Sequence, residues 1–305
     1  MRVSIIGQAP FGQAVLQRLT EDGIDVVAVS APAPPEGSRP DPLWTAASER
    51  GLPLLPTAAF KQPQQLDTWR AFAADLCVMA FVTDILPDDL FEIPRLGTIQ
   101  YHPSLLPLHR GSSAINWPII FGRGETGVTI FWPDKGIDTG PILMQKRCPI
   151  GPEHTVGSLY FDSLFPLGIE AVSESVALVA AGRAPRESQA HAQATYEPPC
   201  RDPHGEVRWH EPADRVYNLI RGCNPQPGAW TRHNDTKLKL FDARLTGGQE
   251  PGMPGRVLAI DNDGLSVRLN GGVLQLQRVQ PEGGKKMPAT EWARSAGLTV
   301  GHRFR

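Results

Sequence analysis

Short apolar runs alternate along the chain with longer stretches in which apolar residues recur at helical spacing. The runs of strand length are Val3–Ile6, Asp25–Ser30, Pro53–Leu55 and Leu76–Phe81. The stretches with the period of an amphipathic helix are Gln13–Leu19, Trp44–Arg50 and Gln65–Ala74. A strand that is buried on both faces is apolar throughout, so this alternation predicts a mostly parallel sheet with helices on both faces.

The pattern continues over the next hundred residues. One apolar run ends at His102, a second occupies Gly127–Pro133, and the helical stretch Ser112–Phe121 separates them. A further strand is predicted at Ile142–Ile150, and a helix at Thr155–Ala181. The segment Pro-Leu-Gly that begins at Pro166 interrupts this last helix. Because proline removes a helical hydrogen bond, we expect the helix to be kinked or divided there.

Periodicity disappears between residues 182 and 205, which we interpret as a linker between two domains. After it come a helix at Glu211–Cys223, a Pro/Gly turn in NPQPGAWT, and short apolar runs joined by the hairpin signals DNDG and NGG. The predicted strands are Leu238–Leu245, Gly255–Ile260, Leu265–Leu269 and Val273–Gln280. We therefore predict a Rossmann-like α/β domain at residues 1–181 and a smaller OB-like β-barrel domain at residues 206–305.

Composition narrows the class of protein. The 305 residues are 41% hydrophobic and 20% charged, and the net charge of −2 provides no global field that would recruit nucleic acid or an anionic membrane. The four cysteines are scattered without the Cys/His spacing of a zinc site, so we expect free thiols and no metal. No signal peptide or membrane span is expected, and we predict a cytoplasmic protein.

The first glycine turn argues against a bound dinucleotide. Its sequence GQAPFG, from Gly7 to Gly12, is neither GxGxxG nor a phosphate loop with Lys-Ser/Thr. The next predicted strand ends at Ser30 without the acidic residue that would hold an NAD ribose. We therefore expect no NAD, and we predict that the Pro-rich residues 31–42 form a surface loop.

Two titratable side chains follow the apolar runs in the centre of the chain. His102 precedes Pro-Ser-Leu-Leu-Pro, and Asp138 precedes Thr-Gly. Chemistry in an open α/β sheet gathers just beyond the strand ends, where loops aim side chains into a shared crevice. A lone His or Asp there would be interpreted as a core or turn residue, but an imidazole beside a carboxylate suits proton transfer. The pair is therefore predicted to form an active site.

These residues resemble the folate-dependent formyltransferase family. The family motif of His, one residue and then Ser-Leu-Leu-Pro is present at His102–Pro107, and the family Asp-Thr-Gly loop is present at Asp138–Gly140. The phrases YHPSLLP, HRG, SAINW, IFW and PGAWT are most similar to the hydrolase domain of 10-formyltetrahydrofolate dehydrogenase. VQPEGGKKM, near the carboxyl terminus, is instead similar to methionyl-tRNA formyltransferase.

The resemblance implies that formyl is carried on 10-formyltetrahydrofolate and passed to a nucleophile. His102 and Asp138 would supply acid–base catalysis, and an amide two residues before the His would help to hold the formyl oxygen. Family members usually have Asn at that position, whereas this chain has Gln100. Glutamine adds one methylene, so the expectation is that Gln100 assists but is not essential. Leu108 is a second departure, because relatives often carry Arg there.

The resemblance also predicts a pterin pocket. Its walls would come from the loop after the fourth strand, the segment before Asp138, and the residues that follow His102. A flat heterocycle requires apolar walls and backbone hydrogen bonds, which these segments can provide. The predicted folate-binding residues are Phe81, Asp84, Ile85, Leu86, Ser104, Leu105, Leu106, Pro107, Gly136 and Ile137.

The formyl acceptor is left open between several classes. The dehydrogenase-like phrases favour a small amine, a carrier-bound thiol on a carrier protein, or water. Formylation of methionyl-tRNA is the alternative, but the first loop has only Arg39 as a basic residue and the net charge is negative. Lys285 and Lys286 keep that alternative open. A non-catalytic folate-binding module is a further alternative, which the presence of both His102 and Asp138 disfavours.

Overall fold

The computed structural model describes residues 1–34, 37–248 and 250–304. The chain divides into two compact units. The first unit comprises residues 1–114, 127–148 and 162–197, and the second comprises residues 115–126, 149–161 and 198–305. The predicted domain limits at residues 181 and 206 remain a prediction. Of the predicted surface loop at residues 31–42, Pro35 and Glu36 lie outside the described residues.

A seven-stranded sheet with the order β3-β2-β1-β4-β5-β6-β7 forms the centre of the α/β part. All pairs from β3 through β5 are parallel, which confirms the mostly parallel sheet, whereas β6 runs antiparallel to β5. The strands are β1 Arg2–Gly7, β2 Asp25–Ala31, β3 Leu54–Pro56, β4 Leu76–Ala80, β5 Thr98–His102, β6 Glu125–Phe131 and β7 Ile142–Pro149.

Helices alternate with these strands along the chain. They are α1 Ala9–Glu21, α2 Pro42–Glu49, α3 Pro63–Ala71, α4 Asn116–Ile120, α5 Val156–Leu159 and α6 Phe165–Ala180. Helix α1 buries Phe11, Val15 and Leu19 at helical spacing, and Pro10 in its first turn needs no hydrogen-bond partner for its nitrogen. A π-helical turn at Tyr160–Leu164 lies between α5 and α6, a few residues before the predicted interruption. Helix α6 itself continues through Pro166 and Gly168, because Pro166 lies in its first turn.

The helical run Val156–Ala180 has the length and composition of a membrane span. Seven residues of α6 are nevertheless buried inside the protein. Helix α6 packs against α1, and Ser173 Oγ donates a 2.6 Å hydrogen bond to the Asp22 carboxylate. Burial in the core of the first unit therefore accounts for the apolar character of this helix.

The carboxy-terminal part is a six-stranded antiparallel arrangement with the order β10-β11-β12-β9-β8, in which β13 pairs with β12. Its elements are α7 Ala213–Gly222, β8 Ala229–His233, β9 Thr236–Thr246, β10 Val257–Asp261, β11 Gly264–Leu269, β12 Gly272–Pro281, β13 Met287–Pro288 and α8 Ala289–Ser295. DNDG joins β10 to β11 and NGG joins β11 to β12, as predicted. Strand β8 begins within the phrase that we predict to be only a Pro/Gly turn, so the turn ends earlier than predicted.

Residues 182–197 pack within the first unit. Backbone bridges join Glu187 to Ile142 and Tyr196 to Arg110, and a single 3₁₀ turn occupies His191–Gln193. Residues 182–197, which we call the strap, therefore have irregular backbone and are joined to the first unit by backbone hydrogen bonds. Loss of a regular period indicates that a segment is neither helix nor strand, but it does not indicate that the segment is free of the core.

Candidate active site

His102 is the last residue of β5, and strand alternation fixes the direction of its side chain. Its neighbour Tyr101 points into the core and stacks on Phe11 of α1 with ring centroids 4.2 Å apart. Successive residues of a strand point to opposite faces, so burial of Tyr101 sends the imidazole of His102 to the other face. The His102 side chain is only 5% exposed. Core packing on one face of β5 thus orients the titratable group on the other.

Both ring nitrogens of His102 have defined neighbours. Nε2 lies 2.9 Å from the carbonyl oxygen of His109, and Nδ1 lies 3.6 Å from Oδ2 of Asp138. A carbonyl oxygen only accepts hydrogen bonds, so Nε2 carries the hydrogen. In the neutral ring, Nδ1 is therefore the nitrogen with the free lone pair. The carboxylate beside it stabilises the imidazolium that forms when Nδ1 takes up a proton.

Asp138 reaches His102 by a route that differs from the prediction. The two residues are predicted to follow strands whose ends share one crevice, but β6 is antiparallel to β5, with His102 opposite Thr129. The carboxyl end of β6 therefore lies towards the amino end of β5. Asp138 returns on the loop of residues 132–141, whose ends are joined by a hydrogen bond from Trp132 N to Pro141 O at 2.9 Å.

The local sequence of this loop explains its conformation. Asp138 has a φ of +56°, in the left-handed region that Asp adopts more readily than most residues, and its side chain is 9% exposed. Its Oδ2 accepts a 2.8 Å hydrogen bond from the backbone of Gly111. Gly140 lies so close to Trp132 that an added Cβ would overlap the Trp132 carbonyl oxygen. The glycine of Asp-Thr-Gly is therefore required for the loop to close.

The turn after His102 is clamped by polar side chains from β6 and β7. Thr129 Oγ1 donates to the carbonyl of Ser104 at 2.6 Å and accepts from Leu106 N at 3.1 Å. Gln145 Nε2 donates to the carbonyl of Leu106 at 2.7 Å. The peptide bond between Leu106 and Pro107 in this turn is cis. This clamp holds the backbone that leads from His102 to His109.

The structure divides the predicted folate-binding residues into two groups. The exposed ones, available to a ligand, are Phe81, Asp84, Ile85, Gly136 and Ile137, and Pro107 is half-buried. The buried ones are Ser104, Leu105, Leu106 and Leu86. Ser104 is fully buried and its Oγ donates to the carbonyl of Leu108 at 2.6 Å, while Leu86 packs in a core cluster with Phe60 and Trp69. These buried side chains support the walls of the site rather than presenting polar groups to it.

Each of the two loops of the predicted pterin pocket carries an exposed isoleucine. Ile85 is 91% exposed and Ile137 is 54% exposed. Large apolar side chains left in water on functional loops are typical of a surface that a ligand covers. Asp84 stands in irregular backbone and caps no helix, because the next helical turn begins at Asp88.

Gln100 lies two residues before His102 on β5, so the two side chains emerge on the same face of the strand. Its backbone pairs with Met79 of β4 and Phe131 of β6. The residue is partly exposed, in contrast to the buried His102. This placement allows the amide to face a ligand bound beside the imidazole.

Several supporting residues are not among the predicted site residues. Gln189 donates to the carbonyls of Asp138 and Gly140, and Arg110 donates to Gln189. His109 Nδ1 lies 3.2 Å from Oε2 of Glu197, and His109 N donates to Thr195 Oγ1. The phrase HRG in the family resemblance includes His109 and Arg110, but the periodicity of residues 182–205 provides no comparable signal for Gln189, Thr195 and Glu197.

Within the ranges that the structure describes, no group of three or more His, Cys, Asp or Glu side chains is placed to hold a metal ion. Separately, the geometry of His102, Asp138, Gly111 and His109 is one that can support proton transfer. Its fixed tautomer, adjacent carboxylate and nearby exposed loops suit acid–base catalysis on a bound cosubstrate.

Comparison with known proteins decides the family. Residues 1–165 match the formyl transferase family, and residues 201–297 match the formyl transferase carboxy-terminal domain. The chain belongs to the formyltransferase family. This finding confirms the resemblance carried by the His102 and Asp138 motifs, and it establishes the chain as a member of a folate-dependent formyl-transfer family of enzymes.

Two curated relatives illustrate the range of this formyltransferase family. The chain is 38% identical to the mitochondrial 10-formyltetrahydrofolate dehydrogenase of Mus musculus over 98% of its own length, which is 34% of that protein. It is 35% identical to the methionyl-tRNA formyltransferase of Geobacter sulfurreducens, covering 100% of this chain and 96% of that one. The chain thus spans about a third of the dehydrogenases it matches and nearly all of the tRNA enzyme.

Solved structures show the same fold. An N-formyltransferase from Helicobacter canadensis, in complex with folinic acid and dTDP-3-aminofucose, has a TM-score of 0.69 at 18% identity, covering 90% of this chain and 98% of that one. HypX from Aquifex aeolicus in complex with tetrahydrofolic acid also has a TM-score of 0.69 at 18% identity, covering 98% of this chain and 48% of that one. At such identities the comparison establishes the fold alone.

Proposed function

We propose that this formyltransferase removes the formyl group from 10-formyltetrahydrofolate and passes it to a small amine, a carrier-bound thiol or water, releasing tetrahydrofolate. The observation that carries the proposal is the buried His102 imidazole, whose Nε2–H is held by the His109 carbonyl while Nδ1 faces Asp138 at 3.6 Å. This geometry supports His102 Nδ1 as the atom that accepts and returns a proton.

The first step is attack of the acceptor on the formyl carbon. Neutral His102 accepts a proton from the attacking amine, thiol or water at Nδ1, and Asp138 stabilises the resulting imidazolium. The bond from nucleophile to carbon forms while the carbonyl π electrons move to oxygen. Gln100, on the same face of β5, would donate a hydrogen bond from its amide N–H to that oxyanion.

The second step is departure of the folate nitrogen. The oxyanion re-forms the carbonyl, the bond from carbon to N10 breaks, and N10 takes the proton from the imidazolium of His102. The products are the formylated acceptor and tetrahydrofolate, or formate and tetrahydrofolate when water attacks. His102 returns to the neutral tautomer that the His109 carbonyl selects.

The folate cosubstrate would lie between the two exposed loops. Phe81, Ile85 and Ile137 offer apolar area to the pterin ring, and the backbone around Gly136 offers hydrogen-bonding groups. The buried Leu105 and Leu106 support the wall between these loops and His102. The Helicobacter canadensis and Aquifex aeolicus proteins, which were crystallised with folates, support a folate cosubstrate in this family.

Methionyl-tRNA is the second candidate acceptor. Its support is the similarity to a methionyl-tRNA formyltransferase over nearly the full length of both chains. A second point in its favour is the uneven charge of the chain: residues 198–305 contain 16 Lys and Arg and 11 Asp and Glu, which gives this region a formal charge of +5. Residues 1–197 contain 14 Lys and Arg and 21 Asp and Glu, a formal charge of −7.

A small acceptor is preferred because the acidic region contains the catalytic pair and the exposed loops beside it. Like charge around a site opposes the approach of a polyanion. A non-catalytic folate carrier is disfavoured, because it would require neither the fixed tautomer of His102 nor the tied Asp138 loop. We also propose a cytoplasmic location for the protein, in keeping with four cysteines that are not joined in disulfides.

The test is a turnover assay with a panel of acceptors. Purified protein is incubated with 10-formyltetrahydrofolate and, in separate reactions, small amines and amino sugars, a phosphopantetheine thiol, initiator methionyl-tRNA, or buffer alone. Tetrahydrofolate release is followed by absorbance, and the formylated product by mass spectrometry. Release that depends on one small acceptor, or on water, supports the proposal. Release only with methionyl-tRNA selects the second candidate, and release in none of the reactions refutes both.

A further inference from the structure

A closed ring of hydrogen bonds links the Asp138 loop to the strap of residues 182–197. Gln189 Nε2 donates to the carbonyl oxygens of Asp138 at 3.0 Å and of Gly140 at 2.7 Å. Gln189 Oε1 accepts from Arg110 Nη2 at 2.6 Å. Gly111, the residue after Arg110, donates its N–H to Oδ2 of Asp138 at 2.8 Å. The ring therefore returns to the catalytic carboxylate from which it started.

We infer that Gln189 is a positioning residue that sets the Asp138 carboxylate against His102, an inference that rests on the proposed function of that pair. Gln189 does not face the exposed loops where substrate would bind, because it is only 5% exposed. It acts through the backbone of the residue that bears the carboxylate. None of the predicted site residues holds Asp138 in this way.

The hydrogen-bonding capacity of a primary amide matches this position. Gln189 uses both amide hydrogens on two carbonyls and its amide oxygen on Arg110. A carboxylate of the same size could accept from Arg110 but has no hydrogen to donate. A methionine side chain has a similar volume and offers neither group. Glutamine is therefore the residue whose length and donor pattern satisfy all three partners.

The conformation of the Asp138 loop explains why it needs the hydrogen bonds from Gln189. Asp138 is held at a φ of +56°, which costs free energy for a residue other than glycine and requires support from the surroundings. The hydrogen bonds to the carbonyls of Asp138 and Gly140 fix the peptide planes that follow these two residues. The direction of the Asp138 side chain then has little freedom, and Gly111 completes its placement.

Arg110 connects Gln189 to the segment that holds His102. It is buried, and its Nη2 also lies 3.1 Å from Nδ1 of His191. Its neighbour His109 supplies the carbonyl oxygen that binds Nε2 of His102. The adjacent residues 109, 110 and 111 thus contact His102, Gln189 and Asp138 in turn. One short segment consequently sets the relative position of the two catalytic side chains.

The experiment compares Gln189→Glu and Gln189→Met with wild type, using Gln193→Ala as the matched control. Gln193 is an exposed glutamine four residues along the same strap. Misplacement of a catalytic group by an ångström can cost about a hundredfold, so we expect kcat for tetrahydrofolate release to fall by about tenfold to a hundredfold in both Gln189 variants. The KM for 10-formyltetrahydrofolate should stay within about threefold, since Gln189 bonds to Asp138 and Gly140 and not to the predicted folate-binding residues.

A second readout does not depend on turnover. The NMR resonances of the His102 ring report the carboxylate beside Nδ1. They should move in Gln189→Glu in the direction produced by Asp138→Asn, and they should stay at wild-type positions in Gln193→Ala. Gln189→Glu keeps the Arg110 contact and the side-chain size, so it carries the test if Gln189→Met fails to fold.

Two results would overturn the inference. One is a kcat within about threefold of wild type in Gln189→Glu, and the other is an equal loss in the Gln193→Ala control. A loss that appears in KM with kcat unchanged would assign Gln189 to folate binding instead. If wild-type protein releases no tetrahydrofolate with any acceptor, the proposed function fails, and the His102 resonances alone then decide whether Gln189 positions Asp138.

Discussion

One backbone carbonyl determines how the imidazole of this site can act. The oxygen of His109 accepts Nε2–H of His102, so proton exchange is confined to Nδ1, beside Asp138. His102 can therefore accept a proton at Nδ1 and later donate it from the same nitrogen, without rotation of the ring. His109 itself has a φ of +57°, and its N–H is bound by Thr195 Oγ1. A residue outside the catalytic pair therefore selects the tautomer.

Replacement of His102 by alanine tests the role of the ring. We expect His102→Ala to abolish formyl release while the affinity for folate stays within a few-fold, because the imidazole acts in the transition state and not in ground-state binding. Steady-state release of tetrahydrofolate and direct titration with a folate measure the two quantities. Turnover within about tenfold of wild type would remove His102 from the mechanism.

Gln100 and Asp138 should differ in importance. Gln100 is partly exposed on the face of β5 that carries His102, so its amide can assist the oxyanion. Its additional methylene, relative to the usual family asparagine, displaces the amide, and so we expect Gln100→Ile to retain measurable formyl release. Asp138→Ala should not retain it, because the imidazolium loses its carboxylate. Complete loss of release in both variants, measured in one assay, would make Gln100 a full member of the catalytic set.

Sequence patterns locate the proposed catalytic pair better than the residues that hold it. His102 and Asp138 lie in motifs of fixed local spacing, and the structure brings them to 3.6 Å. Thr129, Gln145 and Gln189 act on carbonyls that lie 25, 39 and 51 residues away in the chain. A polar side chain that bonds to distant backbone leaves no periodic signal, so such contacts cannot be inferred from spacing.

At the scale of elements, strand existence follows from apolar runs but strand direction does not. The runs at β5 and β6 are both predicted, yet β6 is antiparallel and Asp138 must return on its own loop. Apolar content reports burial, which is the same for both directions in a covered sheet. Strand β8 is missed for a different reason, because Pro225, Pro227 and Gly228 immediately precede it and suggest only a turn.

The contact between α1 and α6 should make stability depend on pH. Ser173 Oγ donates a hydrogen bond to the Asp22 carboxylate at 2.6 Å. This hydrogen bond holds the pKa of the Asp22 carboxyl below its usual 3.8, and the hydrogen bond from Arg18 makes a smaller contribution in the same direction. A carboxyl whose folded pKa is depressed contributes stability above its unfolded pKa and loses it as pH falls through the folded value.

We therefore expect Ser173→Ala to lower the free energy of unfolding by about 1 kcal/mol at neutral pH, a modest value because the Asp22 side chain is 31% exposed. The difference from wild type should shrink as pH falls below 3.8, where Asp22 becomes protonated in the unfolded state and then in the folded state. Urea unfolding at several pH values measures it. A difference that stays constant down to acid pH would assign the effect to packing at Ser173 instead of to the charged hydrogen bond.

At the scale of the whole molecule, charge is separated along the chain. The region of residues 1–197, with a formal charge of −7, contains both His102 and Asp138, whereas residues 198–305 carry +5. The net charge of −2 conceals this separation, although counting residues by region reveals it without a structure. A positive region next in sequence to an acidic one can attract anions non-specifically.

The acceptor preference gives the last prediction. A tRNA substrate must be held through contacts to its phosphates. Each contact that neutralises a phosphate releases counterions, so the affinity falls as the salt concentration rises. Because the catalytic region repels a polyanion, we expect at most weak binding of initiator methionyl-tRNA, falling away between low and physiological salt. Filter binding or fluorescence anisotropy across that range measures it, and a Lys285→Glu/Lys286→Glu variant tests whether any residual binding depends on the basic residues near the carboxyl terminus. A submicromolar complex at physiological salt, together with formylation of the attached methionine, would overturn the preference for a small acceptor.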